Sequence, residues 1–292
     1  MREKITGHTE LLTLMAYPIR HSKSPEMHNE AASYLGLDYA YLCFDVDQSN
    51  LKEAIASMRA LKVRGGNLSM PNKIAVMQYL DKLSPEAEMC GAVNTIVNDD
   101  GVLTGHITDG IGYMRSLKDN DIDVIGKKIT IVGAGGAGKA MQVQAALDGV
   151  KEISVFNRRD EFHQRGIDTV AMLNEKTNCK ANFYDLEDLD RLKTEIADSY
   201  LLANATSLGM KPQEGLTYIP DPGYLRPDLI VTDAIYAPEE TALLAMAKKV
   251  GCKTMNGKGM MLFQGAASFK LWTGLDMPVE HMKEVLGISY DE

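Results

Sequence analysis

The chain has 292 residues, of which 45% are hydrophobic and 24% are charged, and this length predicts about two globular domains with buried cores. Its formal net charge of −9 argues against a nucleic-acid partner or an acidic membrane surface. No stretch approaches the ~20 apolar residues of a membrane span, and the scattered histidines and cysteines lack the ligand spacing of a zinc site. Since Met1–Lys4 lead into no signal-like apolar core, we expect a cytoplasmic protein without a bound metal.

Strand and helix signals alternate along the first hundred residues. Ser24 precedes Pro25, which is the favoured order of an N-cap and a first helical residue, so a helix is predicted with Ser24 as its cap. The residues Asn98–Gly101 are typical of a hairpin turn. Strands are predicted at 11–15, 39–46, 66–70, 92–97 and 103–106, and helices at 50–61, from Pro71 and at 110–119.

From residue 128 onwards the alternation becomes regular, with short apolar strands separated by helical stretches. This pattern predicts a parallel sheet with crossover helices. The fold class is therefore α/β, with a first α/β domain followed by a doubly wound domain, which the glycine run described next makes Rossmann-type. The later strands are predicted at 128–132, 152–156, 181–184, 200–203 and 229–233, and two helices follow from about residue 259.

A glycine run follows the strand at 128–132 and matches the pattern G-x-G-x-x-G with Gly133, Gly135 and Gly138. Gly133 would allow the tight turn, Gly135 would let a pyrophosphate approach the backbone, and Gly138 would let the next helix pack close to the strand. The helix N-terminus then offers free N–H groups and a positive dipole end to phosphate. The candidate cofactor-binding residues here are Gly133, Ala134, Gly135, Gly136, Ala137 and Gly138.

The next strand, 152–156, leads into four polar residues, Asn157, Arg158, Arg159 and Asp160, which are also candidate cofactor-binding residues. An acid at this distance from the glycine run typically accepts a hydrogen bond from a ribose hydroxyl. A competing interpretation is a nucleotide-triphosphate loop, because Gly133–Lys139 also matches G-x-x-x-x-G-K. That loop needs Ser or Thr next to hold magnesium, and Ala140 has no ligand atom, which weakens an ATP-dependent enzyme as an alternative.

Hydride transfer to or from an alcohol carbon needs a second group to take or give the hydroxyl proton. No tyrosine has a lysine four residues later, so the candidates are other polar clusters of the first domain. Each cluster also has a structural interpretation: a helix cap or turn for the serines, an exposed lysine, and an N-cap for Asp109. The clusters contain Ser22 and Ser24, Ser69 and Lys73, and Asn94 with Asp109.

Five segments of the chain, in this order and spacing, resemble the shikimate/quinate dehydrogenase family. They are Ser22-Lys23-Ser24-Pro25, Asn67–Lys73, Gly91–Thr95, Thr108-Asp109-Gly110 and Gln264-Gly265. The similarity extends from residue 12 to about residue 275. One residue departs from the pattern, because Ile107 stands where the family usually has Asn, so any polar contact of that Asn is lost.

The resemblance implies a substrate-binding catalytic domain at 1–110, an NAD(P)-binding Rossmann domain at 111–257, and a return of 258–292 to the first domain. It implies that Lys73 and Asp109 form a catalytic dyad, in which the carboxylate orients the ammonium group. The implied substrate-binding residues are Ser22, Ser24, Ser69, Asn94, Tyr236 and Gln264. Further candidate cofactor-binding residues are Thr206, Ser207, Ile235 and Gly257.

The function that this resemblance implies is reversible oxidation of shikimate to 3-dehydroshikimate in aromatic amino acid (chorismate) biosynthesis, by a cytoplasmic homodimer. Quinate is a second candidate substrate, because Ser69 replaces a frequent Thr and could leave room for an extra hydroxyl. A different class of function, a dinucleotide-binding sensor without catalysis, also stays open. Asp160 would repel a 2′-phosphate, so we expect NAD to be preferred by at least ~tenfold. Arg158 and Arg159 could partly offset that repulsion, so NADP stays an alternative.

Overall fold

The structure is a computed structural model, and it describes residues 5–20 and 22–288. The sequence interpretation of Met1–Lys4 therefore lies outside the described residues, as do His21 and the last four residues. The chain divides into two compact units. One contains the residues up to Gly112 together with those from Leu262 onwards, and the other is Tyr113–Met261.

The first unit contains a six-stranded mixed sheet in the order β2-β1-β3-β5-β6-β4. The hairpin between β5 and β6 is closed by Asp100 and Gly101, which both have positive φ angles. The elements of this part of the chain are β1 (Glu10–Ala16), α1 (Ser24–Tyr34), β2 (Tyr39–Asp45), α2 (Leu51–Ala60), β3 (Gly65–Leu68), α3 (Asn72–Ala75), a 3₁₀ turn (Val76–Tyr79), β4 (Lys82–Leu83), α4 (Pro85–Cys90), β5 (Thr95–Asp99), β6 (Val102–His106) and α5 (Asp109–Asp119). Helix α5 begins in the first unit and continues into the second, which starts at Tyr113.

The two C-terminal helices, α10 (Lys258–Thr273) and α11 (Val279–Leu286), supply part of the core of the first unit. Phe269 of α10 and Met282 of α11 lie in one cluster with Met27 of α1. Trp272 of α10 lies in a second cluster with strand residues, and its indole N–H donates to the Ile96 carbonyl at 2.9 Å. The predicted return of the C-terminal helices to the first part of the chain is therefore confirmed.

The second unit is built on a six-stranded parallel sheet in the order β12-β11-β10-β7-β8-β9. Counted from β7, this is the strand order 3-2-1-4-5-6 of dinucleotide-binding folds, so the predicted Rossmann-type α/β class is confirmed. Its further elements are β7 (Lys128–Val132), α6 (Gly136–Asp148), β8 (Glu152–Asn157), α7 (His163–Lys176), β9 (Lys180–Asp185), α8 (Leu189–Ala197), β10 (Leu201–Asn204), a 3₁₀ turn (Pro222–Tyr224), β11 (Ile230–Asp233), α9 (Ala242–Val250) and β12 (Lys253–Met255).

Some predicted details of the elements were wrong or missing. The N-cap of α1 is Lys23 rather than Ser24, and the hydroxyl of Ser22 accepts from the Ser24 N–H at 3.2 Å. The short strands β4 and β12 and the helix α4 were missed. The sequence before α4 carries the same signal as that before α1, because Ser84 precedes Pro85. In the structure the Ser84 hydroxyl accepts from the Ala87 N–H and caps the helix.

Among residues 5–20 and 22–288, no helix is long and apolar enough to span a bilayer. Within the same residues, no group of three or more histidine, cysteine, aspartate or glutamate side chains could hold a metal ion.

Candidate active site

The first unit brings Lys73 and Asp109 into direct contact. Lys73 lies on α3, just after β3, and Asp109 is the first residue of α5, just after β6. The ammonium Nζ of Lys73 donates to Oδ2 of Asp109 at 2.6 Å, and the two side chains are 29% and 15% exposed. A half-buried pair of this kind keeps a proton donor in one place while leaving it accessible to a small molecule.

Asn94 holds the second oxygen of this carboxylate. Its Nδ2 donates to Oδ1 of Asp109 at 3.1 Å and to the hydroxyl of Thr108 at 2.9 Å, while its Oδ1 accepts from the Thr108 N–H at 2.9 Å. Asn94 is 3% exposed, so its amide is fixed by partners within the unit. The orientation of Asp109 is therefore set from two sides.

A buried polar cluster that the sequence did not predict as functional lies behind Asn94. The amide of Asn67 on β3 donates to the hydroxyls of Thr95 and Ser268 at 3.1 and 3.2 Å, and these hydroxyls are 2.8 Å apart. Thr95 in turn donates to Oδ1 of Asn94 at 2.9 Å. The cluster thus connects α10 with β3 and β5, and through Asn94 with Asp109.

Tyr41 of β2 extends this cluster. Its hydroxyl donates to Oδ1 of Asn67 at 2.7 Å. Burial raises the pKa of Tyr41 well above its usual range, so its phenol remains a donor. Ser22, Ser24 and Ser69 are half-buried, and Ser69 follows β3 directly.

Two predicted features of the first unit can now be placed. Gln264 is half-buried on α10, one helical turn before Ser268, and residues four apart share a helix face. Ile107, the departure from the family pattern, is 5% exposed and packs in the interior. The contact between Lys73 and Asp109 forms with this apolar side chain in place.

The glycine run of the second unit forms a turn between β7 and α6. Gly133 has φ 117°, a conformation that favours glycine, and its N–H donates to the Phe156 carbonyl at 2.8 Å. A Cβ on Gly138 would lie 2.1 Å from the Gly133 carbonyl oxygen, so only glycine allows this helix to start so close to the strand. A Cβ on Gly135, the N-cap, would meet nothing within 4 Å, so the space above the helix N-terminus is open.

Asn157 connects this turn with the acid that follows β8. Its Oδ1 accepts from the Ala134 N–H at 3.0 Å, and its Nδ2 donates to Oδ1 of Asp160 at 2.8 Å. Burial acts to raise the pKa of Asp160, but hydrogen bonds from Phe162 N–H, Arg158 and Asn157 outweigh it and hold that pKa below its usual value. Asp160 is therefore ionised at neutral pH.

The two arginines of this segment are both paired with acids. Nε of Arg158 donates to Oδ2 of Asp160 at 3.0 Å, and Nε of Arg159 donates to Oδ2 of Asp185 at 2.6 Å. Both guanidinium groups are largely exposed, at 67% and 77%. Exposed pairs of this kind are weak, so either arginine can exchange its partner at little cost.

The remaining candidate residues of the second unit lie on the connections after β10 and β11 and just before α10. Ser207 is exposed, Thr206 is half-buried, and Ile235 is 5% exposed. The Gly257 N–H donates to the Ile235 carbonyl at 2.9 Å, and a Cβ on Gly257 would lie 2.1 Å from the Ala234 carbonyl oxygen. Tyr236, the next residue after Ile235, is 49% exposed.

Comparison with known proteins identifies the family. Residues 14–96 match the model of the shikimate dehydrogenase substrate binding domain, and residues 257–286 match that of the shikimate 5′-dehydrogenase C-terminal domain. The chain is 59% identical to a shikimate dehydrogenase (NADP(+)) of Listeria innocua over 284 residues, which cover 97% of this chain and 98% of that protein. The chain belongs to the shikimate dehydrogenase family.

Two further proteins place the chain within this family. It is 51% identical to a shikimate dehydrogenase (NADP(+)) of Streptococcus uberis over the full length of both chains. The crystal structure of shikimate 5-dehydrogenase from Listeria monocytogenes in complex with shikimate and NAD superimposes with a TM-score of 0.96 at 58% identity. The alignment with that structure covers 98% of this chain and 99% of the other.

Proposed function

We propose that the protein catalyses the reversible, NAD(P)-linked interconversion of shikimate and 3-dehydroshikimate, as an enzyme of aromatic amino acid (chorismate) biosynthesis. The observation that supports this most directly is the 2.6 Å contact between Lys73 and Asp109 in a chain of this family. A proton donor that is held by a carboxylate and half-buried is what an alcohol dehydrogenation without zinc requires.

In this proposal Lys73 moves the proton. During oxidation its amine accepts the hydroxyl proton of the substrate, and during reduction its ammonium group gives a proton to the carbonyl oxygen. Asp109 keeps the amine pointed at the reacting oxygen and compensates its positive charge when it is protonated. Asn94 supports Asp109 from behind, so the carboxylate does not have to reorganise during the reaction.

The substrate would be bound by the polar side chains of the first unit. We propose that the hydroxyls of Ser22, Ser24 and Ser69 bind the carboxylate side. Asn94, Asp109 and Gln264 would bind ring hydroxyls, and the family resemblance adds Tyr236 as a substrate-binding residue. Hydroxyl and amide groups suit a polyol, because each group left unpaired against a wrong substrate costs ~1–3 kcal/mol.

The residues of the second unit fit a dinucleotide. The open space at Gly135, the free N–H groups at the start of α6 and the acid after β8 are the features that such a ligand needs. When bound, the nicotinamide supplies or accepts the hydride. The glycine run from Gly133 to Gly138 would bind the pyrophosphate, Asn157–Asp160 the adenosine, and Thr206, Ser207, Ile235 and Gly257 the nicotinamide half.

We propose further that NAD is preferred over NADP. The ionised Asp160 would accept from a free 2′-hydroxyl and repel a 2′-phosphate. The relatives named above are NADP(+) enzymes by name, whereas the Listeria monocytogenes structure holds NAD. The ratio of kcat/KM for the two cofactors measures this preference.

A single assay separates the candidate functions. Purified protein is mixed with shikimate or quinate and with NAD or NADP, and the absorbance of the reduced nicotinamide is followed. We expect the fastest reduction with shikimate and NAD. Quinate is the less favoured substrate because the named relatives are shikimate dehydrogenases, and faster turnover of quinate would reverse that order. Silence in all four mixtures would favour the sensor.

Two properties implied by the family resemblance are also proposals. We propose that the protein is a homodimer, and light scattering on the purified chain would distinguish a dimer from a monomer. We propose that it acts in the cytoplasm, where reduced dinucleotides and the intermediates of aromatic biosynthesis are available. Fractionation of cells that express the chain at its natural level would test the location.

A further inference from the structure

A buried carboxylate at the ends of two neighbouring strands has no part in the reaction proposed above. Asp233 is the last residue of β11, and it pairs in register with Asn204, the last residue of β10. The two residues are 2% and 1% exposed. The connections that follow these strands carry Thr206 and Ser207 on one side and Ile235 and Tyr236 on the other.

Asp233 fixes the connection after its own strand. Its Oδ1 accepts from the Ile235 N–H at 3.0 Å, and its Oδ2 accepts from the hydroxyl of Thr241 at 2.8 Å. Thr241 is the N-cap of α9, where its hydroxyl also accepts from the Leu244 N–H at 3.3 Å. One carboxylate thus holds both ends of the segment 234–241.

Through Asn204 the same carboxylate reaches the neighbouring connection. Nδ2 of Asn204 donates to Oδ1 of Asp233 at 2.9 Å, which directs Oδ1 of Asn204 towards Thr206. That oxygen accepts from the Thr206 N–H at 3.1 Å and from its hydroxyl at 2.7 Å. The backbone of this connection packs against the glycine turn, because a Cβ on Gly133 would lie 2.8 Å from the carbonyl carbon of Ala205.

We propose that Asp233 is a positioning residue for the dinucleotide, which holds the connections 205–208 and 234–236 in the arrangement that binds the nicotinamide half. The inference rests on the proposed function, since it takes these connections as part of the cofactor site. Asp233 acts through Ile235 and Thr206 and touches no reacting atom. Its ionised form is required, because three donors point at its two oxygens.

The surroundings make this carboxylate sensitive to pH. It accepts from the amide of Asn204, the Ile235 N–H and the hydroxyl of Thr241, and Tyr218 is the titratable group whose pKa its charge affects. Burial raises the pKa of Asp233 to about 6, against the effect of its three donors. Burial first, and then the charge of Asp233, raises the pKa of Tyr218 well above its usual range, so the phenol stays protonated.

Protonation of Asp233 adds a donor where the arrangement needs an acceptor. The added proton would occupy an oxygen to which Asn204, Ile235 or Thr241 donates, so one of these three hydrogen bonds would weaken. Dinucleotide affinity should therefore fall as the pH decreases through about 6, and it should be fully retained above that value.

The test is direct binding of NADH and NADPH, measured by fluorescence from about pH 8 to about pH 5, with wild type and Asp233→Asn. Asparagine retains the shape and one acceptor oxygen but cannot ionise. We expect the variant to bind at least ~tenfold more weakly at pH 8, with a flat profile through pH 6. Asp228→Asn, at a side chain that is 76% exposed before the same strand, is the matched control.

The outcomes separate this inference from the proposed function. If wild type binds neither dinucleotide, the proposed function fails. If wild type binds and Asp233→Asn binds equally with the same pH profile, the positioning role is overturned. A parallel loss of thermal stability and kcat with an unchanged profile would reduce Asp233 to a structural residue and overturn it as well. Should Asp233→Asn not fold, Thr241→Val removes one donor instead, and unchanged affinity in that variant would overturn the proposal.

Discussion

The two units hold their functional groups in different ways. In the first unit, side chains that are distant in the sequence are hydrogen bonded to one another: Lys73 and Asp109 are 36 positions apart, and Asn67 and Ser268 are 201 apart. In the second unit, several groups are also held by backbone N–H groups that lie close to them in the sequence. The N–H of Phe162 donates to Asp160 and that of Thr206 to Asn204, each over two positions.

This difference determines what a substitution can do in each unit. In the first unit a change of one side chain can remove a chemical group while the strands and helices that carry it remain. In the second unit the glycine positions are defined by the path of the backbone, so the addition of a single carbon can change stability or cofactor affinity.

The largest effect is expected at Lys73. Lys73→Ala removes the group that moves the proton, so kcat should fall by ~10²–10⁴ while NADH binding persists. Steady-state kinetics with shikimate and direct binding of NADH measure the two quantities. The control is Lys52→Ala on an exposed position of α2, which should leave both unchanged. Turnover close to normal in Lys73→Ala would refute the catalytic role.

The second prediction compares two glycines of one turn. In Gly138→Ala the new Cβ would lie 2.1 Å from a backbone oxygen, so we expect the free energy of unfolding to fall by ~1–3 kcal/mol or more. In Gly135→Ala the Cβ meets open space, and φ −68° suits alanine, so stability should not change. NADH affinity should nevertheless fall by at least ~tenfold in Gly135→Ala, since the methyl group occupies the approach of the pyrophosphate.

Denaturant unfolding and NADH titration on both variants measure this pair. Equal losses of stability would mean that a Cβ is tolerated equally poorly at the two glycines. Undiminished affinity in Gly135→Ala would mean that no phosphate approaches the backbone at this position.

The contrast also explains what the sequence could reveal. The glycine turn, β7 and β8 were predictable because their signals lie within a few residues of one another. The contact between Lys73 and Asp109 was implied by the family resemblance and not by spacing. The two residues lie at the starts of α3 and α5, and nothing in the local sequence indicates that these helix starts meet. Ile107 made that region look insecure, yet an apolar residue fits the interior there.

The buried polar cluster behind Asn94 was not predicted for a related reason. Tyr41, Asn67, Thr95 and Ser268 look individually like ordinary strand or helix residues, and only the fold reveals that their polar atoms meet. A weak signal existed for Asp233, an acid that ends the apolar run 229–233. An ionisable residue directly after a buried strand lies where the ligands of parallel sheets bind, and this position could have been singled out from the sequence.

The third prediction concerns a buried histidine of the first unit. His28 stacks on Tyr41 with ring centroids 4.5 Å apart, and burial lowers its pKa from 6.5 to about 3. Between these values the unfolded chain binds more protons than the folded one. The stability contributed by neutral His28 is therefore complete above pH 6.5 and is lost as the pH falls, by up to ~1.4 kcal/mol per unit.

His28→Phe retains a ring in this position and removes the titration. We expect the acid side of its stability curve, measured by denaturant unfolding from about pH 7 to about pH 4.5, to be less steep than that of wild type. His8→Phe, at an exposed position, is the control and should follow the wild-type slope. Parallel slopes in His28→Phe and wild type would show that the imidazole does not titrate in this range.

The smallest expected effect is at Asp160. This carboxylate is held both by side chains and by a backbone N–H, so it combines the features of the two units. Its Oδ1 accepts from the Phe162 N–H at 2.9 Å, so Asp160→Ala would both remove a charge and loosen a turn. Asp160→Asn retains one acceptor oxygen and removes only the charge. Comparing both variants with Asp168→Asn, an exposed position on α7, separates the two contributions.

If repulsion of the 2′-phosphate sets the preference, both variants should lower the ratio of kcat/KM for NAD over NADP by about tenfold, ~1.4 kcal/mol. The gain should come from NADP, because Arg158 loses its partner at 3.0 Å and becomes available to the phosphate. If only Asp160→Ala changed the ratio, the turn rather than the charge would select the cofactor. An unchanged ratio in both variants would remove Asp160 from cofactor selection and leave Arg158 and Arg159 as its determinants.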